Sequence, residues 1–462
     1  MDQARQIGSR WELLVDRYLV EELRGADLHL HRPERREVAF EGDAPWEDDI
    51  AFPLSVVQDG GVARLYYRAS VPDRGNEDQV VFALAESTDG GRTFQRPDLG
   101  LVEFAGSRAN NILYIGEPPF VPPPAFIDTR PGCPADQRYK GLSARWRKLY
   151  AMTSADGRRW RPLAEEPLEM EGTFDTVNTA FWDRTAGCYR SFTRYFENLV
   201  EGMGAEDVLG PRPTVVRAIQ SSTSPDFLHW SPPVHHVYED PHDDMQLYTN
   251  ATLPCPGAEH LYLAFPNRYV QERLHDPRHE HPGANDALFM VSRDGVRWKR
   301  YAEAWVRPGP DPLNWTERNN YPCWGIVETS STEWSMYITG HYRHPGTPTR
   351  VWRLAVRPRG FASAGAGYGG GELLTRPLVY EGATLRLNYS TSAAGSLRVE
   401  VQDPSGRPLP GLGLEEMAPL FGDAVDQGVT WRDGGDLSHL AGRAVRLRIE
   451  LRDADLFALR FC

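Results

Sequence analysis

Cysteine is scarce in these 462 residues: there are five, Cys133, Cys188, Cys255, Cys323 and Cys462, an odd number set far apart with no CxxC pair. That spacing argues against a disulfide framework or a cysteine zinc site and fits a reducing compartment. Basic charge is also short. The formal net charge is −13, and nucleic-acid or anionic-membrane surfaces carry basic patches. No stretch is long and apolar enough to span a bilayer. The opening MDQARQIGSRWELLVDRYL lacks an apolar signal core and a small-residue cleavage site. These absences predict a cytoplasmic protein without nucleic-acid or membrane partners.

What is present is a repeat. SADGRRW (Ser154 to Trp160) and SRDGVRW (Ser292 to Trp298) are near copies, STDGGRTF (Ser87 to Phe94) is one residue longer, and SPDFLHW (Ser224 to Trp230) has Phe227 in the glycine position. The aspartates at 89, 156, 226 and 294 are 67, 70 and 68 residues apart, and a further step of 65 reaches the degenerate RPRGF, Arg357 to Phe361. A steady period of this size marks a repeated supersecondary unit.

Each period holds three β-branched and aromatic runs ahead of the motif, such as DIAFPLSVV, ARLYYRA and VVFALAE, without helical spacing. With a fourth strand after the motif, each unit is an antiparallel blade, and five blades make an all-β propeller over residues 41–365. The motif is then the turn from third to fourth strand. Its aspartate accepts backbone N–H bonds, its glycine takes positive φ, and its tryptophan packs between blades. It resembles the Asp-box of sialidases and other propellers, which lies on the face away from the active site. Residues 1–40 are expected to be a lead-in segment packed on the propeller. After the Gly-rich GAGYGGGELL, alternating runs such as SLRVEVQD and RAVRLRIELRDADLFALRF predict a C-terminal β-sandwich over 366–462.

Propeller topology directs the search for a site. The start of each inner strand and the end of each second strand converge on one mouth. Inner-strand starts supply Glu47, Asp48, Asp49, Asp175, Asn178, Tyr248, Asn250, Glu317, Arg318 and Asn319. Second-strand ends supply Arg68, Arg145, Arg194, Arg268, His341 and Arg343. Carboxylates from three blades and arginines from up to five suit a polar or anionic small molecule. Asp59, Asp128 and Asp183 fall in first-to-second strand turns and read as structural. His275, His279 and His281 lie in a polar loop without supporting ligand spacing, so no metal and no cofactor is expected.

Five blades followed by a β-sandwich resembles the invertase and levanase group of glycoside hydrolases (family 32) and the related arabinanases and xylosidases of family 43. The resemblance covers nearly the whole chain as architecture, as a divergent member lacking the hallmark motifs. It implies a carbohydrate or sugar-like ligand and a pair of carboxyl groups flanking a glycosidic bond. By position in PWEDDI, Asp49 or Asp48 inherits the role of first catalytic aspartate. Asp175 in GTFDTVN matches the stabilising aspartate. For the acid that the resemblance implies, Glu317 in NWTERNN is the first candidate and Glu197 in RYFEN the second. Two alternatives stand beside a glycosidase-like hydrolase: a sugar-binding propeller that does not cleave, and a biosynthetic lyase or cyclase using the same pocket. Carboxyls facing each other across a cavity favour the enzyme, whereas carboxyls all neutralised by arginines favour binding.

Overall fold

The repeated turn is explained by its own hydrogen bonds. Asp156 accepts from the backbone N–H of Arg158 and of Arg159, both at 2.8 Å. Asp226 does the same for Leu228 and His229, and Asp294 for Val296 and Arg297. The chain reverses through positive φ, at 74° for Gly157 and 78° for Gly295. Phe227, in the glycine position, also takes φ 73°.

This computed structural model describes residues 4–48, 50–71, 79–116, 120–145, 148–175, 177–198, 215–242, 245–277, 279 and 282–462. Two compact units result, one of residues 33–254 and 259–355, the other of 4–32, 255–258 and 356–462.

The first unit is a five-bladed β-propeller arrangement. Blade one runs Ala51–Asp59, Val62–Val71, Gln79–Ser87, Ile112–Gly116, inner strand to outer. Blade two is built on Tyr139–Arg145 and Lys148–Ser154, with the inner pieces Phe120–Val121 and Phe126–Ile127 and the outer piece Arg161–Pro162. Blade three runs Thr179–Asp183, Cys188–Glu197, Val216–Ser224, Val234–His235. Blade four is built on Ala258–Ala264, Ala284–Ser292 and Arg297–Val306, with Val237–Tyr238 added in parallel at its outer edge. Blade five runs Val327–Ser330, Glu333–Gly340, Thr349–Val356, and its fourth strand is Glu34–Gly42.

That last pairing corrects the sequence expectation in two ways. The fourth strand of blade five does not follow RPRGF, and the N-terminal segment is not a lead-in to the propeller. Residues 34–42 close the ring, joining chain start to last blade by ladder hydrogen bonds, while the strands before them belong to the second unit. This pairing covers the outer edge of Thr349–Val356 and ties blade five to the segment that leads into blade one.

Tyrosines and aspartates link successive blades. Asp59 accepts from the Tyr139 hydroxyl and from Arg138, Asp128 from Tyr189 and Lys140 at 2.5 Å each, and Asp183 from Tyr262. In each case the tyrosine belongs to the next blade's second strand. Tyr66 of blade one donates to the Gly157 carbonyl in blade two's turn at 2.9 Å, and Tyr337 of blade five to the Gly91 carbonyl in blade one's turn at 2.6 Å. Trp298 is fully buried between blades, its ring 5.1 Å from His236 and 6.0 Å from Phe192. Trp160 and Trp230 are half-buried, and Trp160 packs on Tyr66 and Phe82 of blade one.

The second unit holds an eight-stranded hydrogen-bonded network organised by two long strands, Leu385–Gln402 and Arg446–Phe461, and a separate parallel pair, Arg5–Gly8 with Leu378–Tyr380. Val20–Arg24 and Asp27–Leu30 from the N-terminal segment pair with Gly371–Thr375 and Ala362–Ala366. Leu447, Ile449, Leu451, Leu456 and Leu459 are all buried. Asp453 has φ 43°, and the pairing jumps from Thr391↔Ala454 to Ser396↔Arg452. This bulge resets the alternation, so Leu451 and Leu456 both reach the core although they are five positions apart, an offset that would place them on opposite faces of an unbroken strand.

Candidate functional site

The inner strands bring all five blades to a cavity of about 80 Å³ in the propeller unit. Phe52, Leu54 and Arg68 come from blade one, Val121 from blade two, and Asp175 and Val177 from blade three. Tyr248 begins blade four, and blade five supplies Arg318, Tyr321 and Tyr342. The walls are therefore apolar and aromatic, with two arginines and one carboxylate as the charged lining.

Behind that lining the charges form pairs. Asp175, with its side chain 56% exposed, receives the Arg194 guanidinium, which is only 3% exposed. Glu317 is buried, 2.9 Å from Arg318 Nε and 3.7 Å from Arg343 Nη1. Arg318 sits at φ 56°, its backbone N–H donating to Asn285 at 2.7 Å and its Nη1 to the Tyr342 hydroxyl at 3.2 Å. Arg217, bonded to Gln246 and Gln271, lies over the Tyr248 ring at 5.3 Å, and Arg194 lies over the same ring at 4.9 Å. Five guanidinium groups (Arg68, Arg194, Arg217, Arg318 and Arg343) thus surround two described carboxylates, Asp175 and Glu317.

This cationic surplus acts on the tyrosines. Burial pushes the Tyr248 phenol up, but Arg318 and Arg194 pull it down by more, leaving it below its ordinary value. Burial holds neighbouring Tyr321 well above its own. Two phenols 5.6 Å apart, centroid to centroid, are driven in opposite directions.

The structure sorts the candidates. Arg68, Asp175 and Arg318 line the cavity, and Arg194, Glu317 and Arg343 stand one contact behind it. Asp48 is exposed at φ 44°, and Asp49 lies outside the described residues. Glu47 is a correction. It is fully buried and accepts from Tyr67 at 2.5 Å, from Arg96 at 2.6 and 2.9 Å and from the Ala44 N–H at 2.8 Å, so its oxygens are committed to the fold.

Asn178, Asn250 and Asn319 are also buried and bonded to nearby chain. Asn178 donates to the Phe174 carbonyl, Asn250 accepts from Thr179 and from the Thr252 N–H, and Asn319 accepts from the Tyr342 N–H. They shape the loops that present the cavity's side chains. His341 is buried against Asp311 at 2.6 Å. Arg268 is held by Asp286 and lines a separate cavity of about 930 Å³ with Arg307 and Trp315. Arg145 lines a third, of about 460 Å³, beside Trp160 and Tyr114. Equivalent strand ends therefore do not share one mouth.

His275 packs near Trp315 and His279 near His344, while His281 lies outside the described residues. Among the described residues no three His, Cys, Asp or Glu side chains group to hold a metal ion.

Tyr321, Tyr342 and Arg217 carry no motif. The signal that finds Arg217 is topological: Phe196, near the end of blade three's second strand, pairs with Arg217 at the start of the third. Third-strand starts therefore belong to the same search as second-strand ends.

No protein-family model matches the chain, and no curated protein does. Similar solved structures include a glycosyl hydrolase from Bacteroides ovatus, 15% identical over 72% of this chain and 94% of that one, TM-score 0.44. A β-1,2-mannobiose phosphorylase from Listeria innocua is 12% identical over 72% and 97%, TM-score 0.42. The catalytic domain of an α-L-arabinofuranosidase from Coprinopsis cinerea is 11% identical over 71% and 97%, TM-score 0.44. Likeness this remote leaves function to be argued from the site. No helix among the described residues is long and apolar enough to cross a membrane.

Proposed function

We propose that this protein is an enzyme of glycoside hydrolase type, a divergent relative of the invertase and arabinanase propellers, acting on a sugar-like small molecule at the propeller mouth. The observation that supports the reading is the convergence of side chains from all five blades on one cavity that joins a carboxylate, arginines and tyrosines. In this reading Asp48 or Asp49 is nucleophile or base, Asp175, oriented by Arg194, stabilises positive charge at the anomeric carbon, and Glu317 donates the proton. The surrounding arginines position hydroxyl or anionic groups. We also read the second unit as a β-sandwich bent at its bulges and without a reactive group, and the free cysteines as fitting the cytoplasm.

One observation favours a second reading, binding without cleavage. Both described carboxylates at the mouth are ion-paired with arginines, whereas a general acid must hold a proton to donate.

Incubating the pure protein with furanosides, pyranosides and uronides, with products read by mass spectrometry, tests the proposal. Asp49→Asn and Glu317→Gln are expected to lower turnover by about a hundred- to ten-thousandfold while the protein still folds. Variants that keep full turnover remove both residues from the catalytic set. Binding with no turnover in any substrate class selects the second reading.

A further inference from the structure

The central cavity is small and its charge is one-sided. At about 80 Å³ it has room for roughly two or three waters, each occupying about 30 Å³ in the liquid. A single substituent fits there; a sugar ring does not. Its charged lining is Arg68, Arg318 and Asp175. Asp175 is engaged by Arg194, and Arg318 is shared with Glu317.

Among the described residues Arg68, unlike Arg318, has no carboxylate partner. Its Nε is buried without a hydrogen-bond partner. The charged groups that bear on it are two further guanidiniums, Arg318 and Arg343, beside the phenols of Tyr342 and Tyr248. A half-buried guanidinium whose Nε is buried and which has no carboxylate beside it among the described residues is costly to a fold. A bound anion would supply the missing counter-charge and remove that cost.

We propose that Arg68 and Arg318 form a subsite for a carboxylate of the ligand, so that the substrate class is an acidic sugar, or a similarly carboxylated small molecule, rather than a neutral glycoside. The inference rests on the reading that the mouth takes a sugar-like molecule, and it names that molecule's charge. A planar carboxylate matches the guanidinium fork and accepts paired N–H bonds from it. Tyr248, Tyr321 and Tyr342 line the subsite with aromatic surface, so each charge-assisted bond counts for more than it would among fully solvated groups. A phosphate would need a larger tetrahedral oxygen shell satisfied in the same space, which makes the carboxylate the better fit.

Calorimetric titration of the full chain with glucuronate, galacturonate, the matching neutral hexoses and the matching hexose phosphates tests this. At least one uronate is expected to bind about tenfold or more tightly than its neutral hexose. Arg68→Met should abolish that preference while leaving the melting temperature unchanged or raised, because an uncompensated charge has gone. Arg68→Lys keeps the charge without the fork and should restore part of the preference, with the folding of both variants checked by circular dichroism.

A neutral hexose bound as tightly as any uronate, a preference for the hexose phosphates, or an intact preference in Arg68→Met would each overturn the inference. So would the absence of binding by either uronate. Uronate binding without turnover supports the subsite and counts against the enzymatic reading. Turnover of a neutral glycoside without uronate preference does the reverse.

Discussion

Buried phenols ordinarily ionise late, because burial disfavours the phenolate. Tyr248 breaks that pattern, since Arg318 and Arg194 outweigh burial together with the opposing Asp175 and Glu317. Its folded pKa lies below the ordinary 10.0, so its contribution to stability is present above that pH and is lost as pH falls through the folded value. Ultraviolet difference titration should show one phenol ionising early and none in Tyr248→Phe, whereas Tyr321 and Tyr67 ionise only on unfolding. A wild-type curve without an early phenol would refute this. A phenol of this kind at a cavity wall can exchange a proton, which bears directly on any chemistry at the mouth. At the same scale, Asp175→Ala leaves the buried Arg194 without its paired carboxylate. The cost should be about 1–2 kcal/mol, below the roughly 3–5 kcal/mol of a fully buried pair, because Asp175 faces solvent. Urea denaturation of the variant measures it.

Among the repeated turns, the one at Phe227 sets two effects against each other. Its φ of 73° costs a side-chain-bearing residue about 1–2 kcal/mol. Phe227 is also fully buried, with ring contacts to Tyr189 at 5.0 Å and Phe126 at 5.7 Å, and deleting such a ring costs about 3–5 kcal/mol. Packing wins, so Phe227→Gly should destabilise by about 2–3 kcal/mol in urea despite relieving the backbone. A stabilised variant would show that strain dominates.

The join between blades three and four carries a pH dependence. His236 lies between the strands Val234–His235 and Val237–Tyr238, stacked on Trp298, with neither ring nitrogen bonded. Burial lowers it from 6.5 to about 3. The folded state therefore favours the neutral ring, and the stability this confers is complete above pH 6.5 and declines as pH falls towards 3. Its full extent is on the order of 4–5 kcal/mol. Melting curves over that pH range should flatten in His236→Phe, and an unchanged slope would place the acid sensitivity elsewhere.

At the scale of the whole molecule, the propeller is a ring fastened across the longest sequence separation in its sheets. Phe40, in the closing strand, pairs with Val351 and packs against Tyr67 of blade one at 4.9 Å. Phe40→Ala should cost about 3–5 kcal/mol, and hydrogen exchange should report blades one and five loosening together before blade three does. Loosening confined to blade five would mean that closure is not shared across the ring.

The sequence by itself determined the blades and their turns. Strand triplets, Ser-x-Asp turns and the alternation in Leu447, Ile449 and Leu451 are local patterns, and local hydrogen bonding and burial enforce them. Only the tertiary structure decided how the ring closes, since Glu34 and Ala355 pair without any periodicity connecting them. It also decided which strand-end arginines serve the mouth. Arg68 and Arg268 occupy matching places, yet Asp286 on the adjacent strand holds one away while no carboxylate among the described residues holds the other. Residue type and spacing are written along the chain. The balance of charges around Arg68 and Tyr248 depends on distances between five separate sheets, and those exist only once the ring has formed.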